Sequence, residues 1–188
     1  MPKTLVHPGD PPLDVAGLKQ MAAQIRHDIV YMTHTAQAGH PGGSLSATDI
    51  VTALYFRVMR IDPARPDWPD RDRFVLSKGH ACPAWYSALA ERGYWGREHL
   101  NSLRQLGSLL PGHPAMQKTP GVDMSAGSLG QGMCAGLGMA LAARLHSTDY
   151  RVWVIIGDGE AQEGSIWEAA MAAAAHKLAN LTVIMDVN

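Results

Sequence analysis

The feature that most constrains the fold lies near the end of the chain. Arg151-Val152-Trp153-Val154-Ile155-Ile156 is a continuous β-prone run, the pattern of a parallel strand covered on both faces. Gly157-Asp158-Gly159 follows it. The Ser165-x-x-Glu168 spacing then resembles a capping box and predicts a helix from Ser165, after which Leu181-Thr182-Val183-Ile184-Met185 is a second apolar strand. Strand, helix and strand in succession make a βαβ unit, whose strands are parallel and whose crossover is right-handed. The expectation is an α/β fold, a parallel sheet flanked by helices. A length of 188 residues supports one such domain and not two.

The preceding sequence fits that frame. Residues 1–13, with Pro2, Pro8, Pro11 and Pro12, read as an extended arm, and the domain runs over 14–188. Asp14 is placed to cap a helix whose apolar stripe is Leu18, Met21, Ala22, Ile25, Ile29 and Met32, with Gly39 as its stop. Ser46-Ala47-Thr48-Asp49 suggests the start of a second helix running through Leu54 and Val58. Arg73–Leu76 reads as a short buried strand, and Pro83 suits the first turn of a helix that ends before Gly93. From Gly107 to Ser128 there is no period, and a stretch that long in a compact domain is a candidate binding loop. Beyond it, Gly132, Gly136, Ala140 and Ala143 put small residues on one helix face, which lets another backbone come close.

Several functions are excluded by composition. With 16 Lys and Arg against 17 Asp and Glu the net charge is -1, which is no nucleic-acid footprint. Cys82 and Cys134 form no Cys-x-x-Cys pair and suggest neither zinc nor a disulfide framework, so a reducing cytoplasm is expected. The first residues lack the apolar core of a signal peptide, and no apolar run approaches the roughly 20 residues of a membrane helix.

In an open parallel sheet, ligands bind outside the carboxyl ends of the strands. Asp158 follows one strand and Asn188 ends the next, so a carboxylate and an amide oxygen meet at that edge. Both are hard ligands for Mg2+ or Ca2+, a metal that completes its shell with phosphate oxygens and water. Glycines on either side of Asp158 let backbone approach an anion. No Walker string is present, and the dinucleotide fingerprint fails because its third glycine is replaced by Gln162. By itself Gly-Asp-Gly also fits an ordinary strand-to-helix turn; the paired asparagine favours a metal-bound diphosphate. Gly39-His40-Pro41, Gly79-His80 and Gly112-His113-Pro114 add three histidines at loop tips. Singly each fits a plain loop residue. Together they suit proton transfer and hydrogen bonding to hydroxyls and phosphates.

These motifs, in this order, resemble the transketolase family. The residues concerned are Ala38-Gly39-His40-Pro41-Gly42-Gly43, Arg71 through Ala81, Leu106-Gly107-Ser108 through Pro111-Gly112-His113-Pro114, Ser128-Leu129-Gly130-Gln131-Gly132, and Gly157 through Gly164. The resemblance spans roughly Leu18 to Asn188, and Gly-Gly-Ser-Leu-Ser after His40 is closer to the split form, in which two chains share the enzyme. It implies a thiamine-diphosphate-binding fold, incomplete here, and Mg2+- and thiamine-diphosphate-dependent transfer of a two-carbon ketol from a ketose to an aldose, as in the pentose phosphate pathway. Asp158 and Asn188 would hold the metal, with Gly159 and His80 on the diphosphate. Gly127 and Leu129 would line the thiamine rings, and His40, His80 and His113 would serve the sugar and its protons. Glu163 would lie near a subunit interface and the partner's cofactor site.

The resemblance also implies what this chain lacks: the pyrimidine-binding domain or subunit with its activating glutamate, and a metal-binding carbonyl beyond Asn188. A truncated chain, completed by a pyrimidine-domain subunit in a dimer or heterotetramer acting on sugar phosphates, is therefore expected. Two other readings stand beside it, a non-catalytic cofactor-binding or assembly fragment and another thiamine-diphosphate enzyme such as deoxyxylulose-phosphate synthase.

Overall fold

A computed structural model describes residues 11–187. Asn188 and residues 1–10, most of the expected arm, lie outside the described residues. The sheet has three strands, β1 (Arg73–Leu76), β2 (Val152–Gly157) and β3 (Leu181–Asp186), in the order β1-β2-β3. All pairings are parallel, with Val75 opposite Val154 and Ile155 opposite Ile184. The expected α/β architecture is present.

Helices cover both faces, as unbroken apolar strands require. Phe74, Leu76 and Ile155 turn to one face. There they pack with α1 (Val15–Ala36), α2 (Pro41–Ala53) and α3 (Cys82–Arg92) around Trp85, Tyr86 and Leu89. Val75, Val152, Val154 and Ile156 turn to the other and meet α4 (Gln131–Leu145) and α5 (Gly164–Ala175). The alternation is the period-2 geometry of a strand, with both sides buried.

Helix ends show where local signals held. Asp14 caps α1 by accepting from the Gly17 amide at 2.8 Å. That helix stops at Ala36, earlier than Gly39 suggested, because Gln37 turns left-handed at φ 47°. Helix α2 begins at Pro41, not at Ser46. A proline suits a first turn, and Ser46 then lies inside the helix, where its hydroxyl donates to Asp186 instead of to a cap. Past Ala53 the backbone widens into a π turn, Leu54–Val58. Helix α5 likewise starts at Gly164 with Glu163 at its cap, so the Ser165 capping box does not form; a 3-10 turn at Glu160–Gln162 leads directly into the helix.

Two devices fix the sheet edge and the helical layer. At β1 the Phe74 amide donates to Asp123 Oδ2 at 2.8 Å, and Asp123 pairs with Arg71. Burial raises the Asp123 pKa, opposed chiefly by Arg71. Arg97 reaches Asp28 on α1 at 2.8 Å and also Glu91 on α3, one guanidinium serving two buried carboxylates.

Small residues on α4 bring it close to the sheet, as their spacing implied. A Cβ on Gly132 would come within 2.6 Å of the Ser77 Cα, and one on Gly136 within 2.5 Å of Val154. Gly138, on the exposed side, has nothing within 4 Å. Replacing a helical glycine by alanine gains about 1 kcal/mol of propensity, while forced overpacking costs about 1–3 kcal/mol. Gly138→Ala should therefore raise the denaturant midpoint and Gly132→Ala lower it. Equal shifts would show that α4 does not owe its position to these contacts.

Candidate functional site

The carboxyl ends of the three strands open onto one edge. β1 leads into Ser77-Lys78-Gly79-His80, β2 into Asp158-Gly159-Glu160, and β3 ends at Asp186. Chain register brings the last two together, since the Asp158 amide donates to the Asp186 carbonyl at 3.2 Å. Asp158 and Gly159 are exposed, and a Cβ on Gly159 would meet nothing within 4 Å. The edge is thus an open carboxylate beside accessible backbone, the cradle expected of a metal-bridged anion. Its other expected ligand, Asn188, lies outside the described residues, and among the described residues no three acidic, histidine or cysteine side chains converge to hold a metal.

Beneath that open rim sit two buried acids that sequence reasoning missed. Glu160 is 4% exposed. Its Oε1 accepts from the Gly130 amide at 2.8 Å and from the Ser77 hydroxyl, and its Oε2 accepts from the Gly157 amide at 3.1 Å. One carboxylate therefore joins the ends of β1 and β2 to the start of α4. Asp186 and Lys78, 6% and 3% exposed, form a buried ion pair. Asp186 also accepts from Ser46 at 2.7 Å, and Lys78 Nζ donates to the Gly43 carbonyl at 3.1 Å. Every charge here is matched by an opposite charge or by fixed donors, as burial demands. The signal for Asp186 was available as an acidic residue ending an otherwise apolar strand. Glu160 had no local signal, because its partners are far away in sequence.

Two of the three histidines meet edge to face, with the His40 and His80 ring centroids 5.3 Å apart. His40 stands at the α2 cap in a non-helical conformation, φ -125° and ψ 80°, kept out of the helix by the following proline yet short of fully extended. His80 lies in a 3-10 turn, with Nε2 3.5 Å from a Cβ on Gly43. His113 arrives from the long loop, packed over Gly127, whose φ of 157° suits glycine and whose Cβ would lie 3.6 Å from the ring. Gly79 lets that loop approach, since a Cβ there would be 3.0 Å from the Gly127 nitrogen. Glu163 lies against Gly130, a Cβ on which would be 3.0 Å from the Glu163 Cβ, and both Glu163 and Leu129 are exposed.

Charge and burial tune the rings. Burial lowers the His80 pKa, reinforced by His40 and Lys78 and opposed by Glu160. Burial lowers that of His113 too, followed by Arg104 and His40. Both rings stay neutral to lower pH than an ordinary imidazole at 6.5, so they can accept a proton or share one at neutrality.

Two measurements bear on this geometry. Glu160→Gln must turn an NH2 group toward a donor it now accepts from, and is expected to lower stability by about 1–3 kcal/mol in denaturant titration; a neutral outcome would mean that the carboxylate does not organise these loops. The unfolded histidines, with ordinary values near 6.5, take protons first as pH falls. Stability is therefore full above that value and is lost as pH drops through it toward the folded values. The unfolding midpoint of a His80→Asn, His113→Asn double variant should fall less steeply over that range than the wild type's.

Comparison with known proteins adds to the geometry. Residues 18–188 match the family model described as transketolase, thiamine diphosphate binding domain. The 6-deoxy-6-sulfo-D-fructose transketolase subunit SqwG of Clostridium sp. (strain MSTE9) is 53% identical over 150 residues, 80% of this chain and 54% of that protein. One of the subunits of the apulose-4-phosphate transketolase of Phocaeicola vulgatus is 44% identical over 176 residues, 94% of this chain and 62% of that one. Human transketolase is 43% identical over 172 residues, 91% of this chain but 27% of its own length. The chain thus spans less than two thirds of each of these relatives. Among solved structures, transketolase from Leishmania mexicana superposes with a TM-score of 0.88 at 36% identity, covering 91% of this chain and 27% of that one.

Proposed function

Because the chain belongs to the transketolase family and matches its thiamine diphosphate binding domain, we propose that it is the diphosphate-binding part of a split transketolase. In this reading it works with a pyrimidine-domain subunit in a cytoplasmic dimer or heterotetramer. The reaction is two-carbon ketol transfer from a ketose phosphate, or a similar anionic ketose, to an aldose. The observation that carries the reading is the convergence of His40, His80 and the His113 loop on one strand edge, beside the exposed Asp158 and the open backbone of Gly159. Two relatives named as transketolase subunits support the split arrangement, and their names, one for a sulfo sugar and one for a sugar phosphate, support an anionic sugar class.

The residues present fit the cofactor. Asp158 and Asn188 would hold Mg2+ against the diphosphate, with the Gly159 amide and His80 on its oxygens and Gly127 and Leu129 along the rings. Bound thiamine diphosphate supplies the nucleophilic carbon that cleaves next to a ketose carbonyl. This chain's own residues orient and move protons. His113 and His40 can take a proton from a sugar hydroxyl at a ring nitrogen and return it to the oxygen formed on the acceptor. Glu163, exposed at the cap of α5, would face the second subunit. No helix among the described residues is long and apolar enough to cross a membrane.

Calorimetry with thiamine diphosphate and Mg2+ should show binding that Asp158→Ala weakens by about tenfold or more. In complex with a pyrimidine-domain subunit, His113→Ala should lower kcat on a ketose phosphate by about a hundredfold. A wild-type complex that binds cofactor yet turns over no ketose would leave the chain as a cofactor-binding module and sink the transferase reading.

A further inference from the structure

The stretch that carries His113 has no helix or strand of its own, yet its backbone is bonded residue by residue. Four consecutive carbonyls each accept a hydrogen bond. Leu109 O accepts from the Thr119 hydroxyl at 2.6 Å and Leu110 O from the Arg104 amide at 2.8 Å. Pro111 O accepts from the Tyr86 hydroxyl at 2.8 Å and Gly112 O from the Cys82 thiol at 3.3 Å. The next residue, His113, is exposed. A loop must find donors for the carbonyls it buries, and that need alone would account for a single bond of this kind. It does not account for where the last two donors come from.

Cys82 and Tyr86 stand four residues apart at the start of α3, hence on one face of that helix, and both are buried. The 3-10 turn that carries His80, Gly79–Ala81, runs directly into Cys82. One continuous segment therefore holds His80 at its start and bonds the two residues just before His113 from its side. Burial pushes the Cys82 thiol up to about 12 and raises the Tyr86 hydroxyl as well, so both keep their protons, and remain donors, throughout the neutral range. Arg104 adds a further contact. It turns left-handed at φ 62° and lays its guanidinium on Gly112, with Cζ, Nε and Nη2 at 3.0, 3.1 and 3.3 Å from a Cβ built there. A side chain at position 112 would displace it.

We infer that Cys82 and Tyr86 are positioning residues, which fix His113 relative to His80 across the candidate site by bonding the Pro111 and Gly112 carbonyls. The inference rests on the functional reading above, in which both rings serve the bound sugar and cofactor. A proton carrier displaced by about 1 Å can lose roughly a hundredfold in rate. A loop without regular structure can present such a group only if its backbone is anchored from elsewhere, and α3 supplies the anchor.

The test has two arms. In this chain alone, nuclear magnetic resonance follows the His113 ring and its through-space contact with Gly127, over which it packs. Tyr86→Phe and Cys82→Ala should each weaken that contact or give the ring a second set of signals, while Cys82→Ser, which keeps a donor, should restore the wild-type pattern. In complex with a pyrimidine-domain subunit, Tyr86→Phe should lower kcat on a ketose phosphate by about tenfold with thiamine diphosphate affinity unchanged, and should have no effect where His113 is already replaced by alanine. A purely structural role predicts instead a loss that persists in the His113→Ala background and follows the unfolding midpoint. That result overturns the inference, as do ring signals unchanged in both Tyr86→Phe and Cys82→Ala. A wild-type complex that never turns over a ketose sinks the transferase reading, and the positioning role is then decided by the resonance arm.

Discussion

The buried carboxylate of Glu160 is the interaction on which the candidate site depends. An ionised group 4% exposed is tolerable only if fixed donors surround it, and its donors come from three separate segments at Ser77, Gly130 and Gly157. Satisfying one acid therefore obliges the ends of two strands and the beginning of a helix to adopt fixed relative positions. Asp158, two residues before it, stays free to face outward because the inward role is already taken. The division is of two neighbouring carboxylates by environment, one structural and enclosed, the other open to a ligand.

A second buried pair carries the same logic across the sheet. Lys78 and Asp186 neutralise each other between β1 and β3, while Ser46 and the Gly43 carbonyl bring α2 into the arrangement. Breaking such a pair is costlier than never having it, since the remaining charge would be left alone in the interior. His80 rides on the turn that follows Lys78, and its ring meets His40 at the cap of α2. The histidine geometry is inherited from these buried ions and does not require the rings to bond each other.

Much of the architecture was legible in the chain because it is written in local periodicity. Apolar runs bounded by Gly-Asp-Gly and by proline foretold all three strands and their parallel sense, and Gly93 and Asp14 marked real helix ends. Proline after His40 keeps that residue out of the helix, though its backbone is not fully extended. Capping signals misled at Ser46 and Ser165, where a helix began earlier. Such boxes compete with tertiary partners, and at Ser46 the buried Asp186 prevailed. What the sequence could not display was Glu160, because its donors at Ser77 and Gly130 are local to nothing but the folded state. The long loop was rightly singled out for lacking any period, yet the left-handed Arg104 just before it obeys no composition rule, since arginine is not a residue that turns of this hand select.

The Asp123 contact at β1 has a consequence for how the sheet can grow. A strand that adds to an edge needs free backbone donors there, and the Phe74 amide is already committed to a carboxylate that Arg71 pins in place. The other border, along β3, carries no such block among the described residues and shows its side chains Val183 and Met185 to solvent. Along β1 one outward amide is thus closed to a further strand, whereas β3 has no strand on its outer side among the described residues.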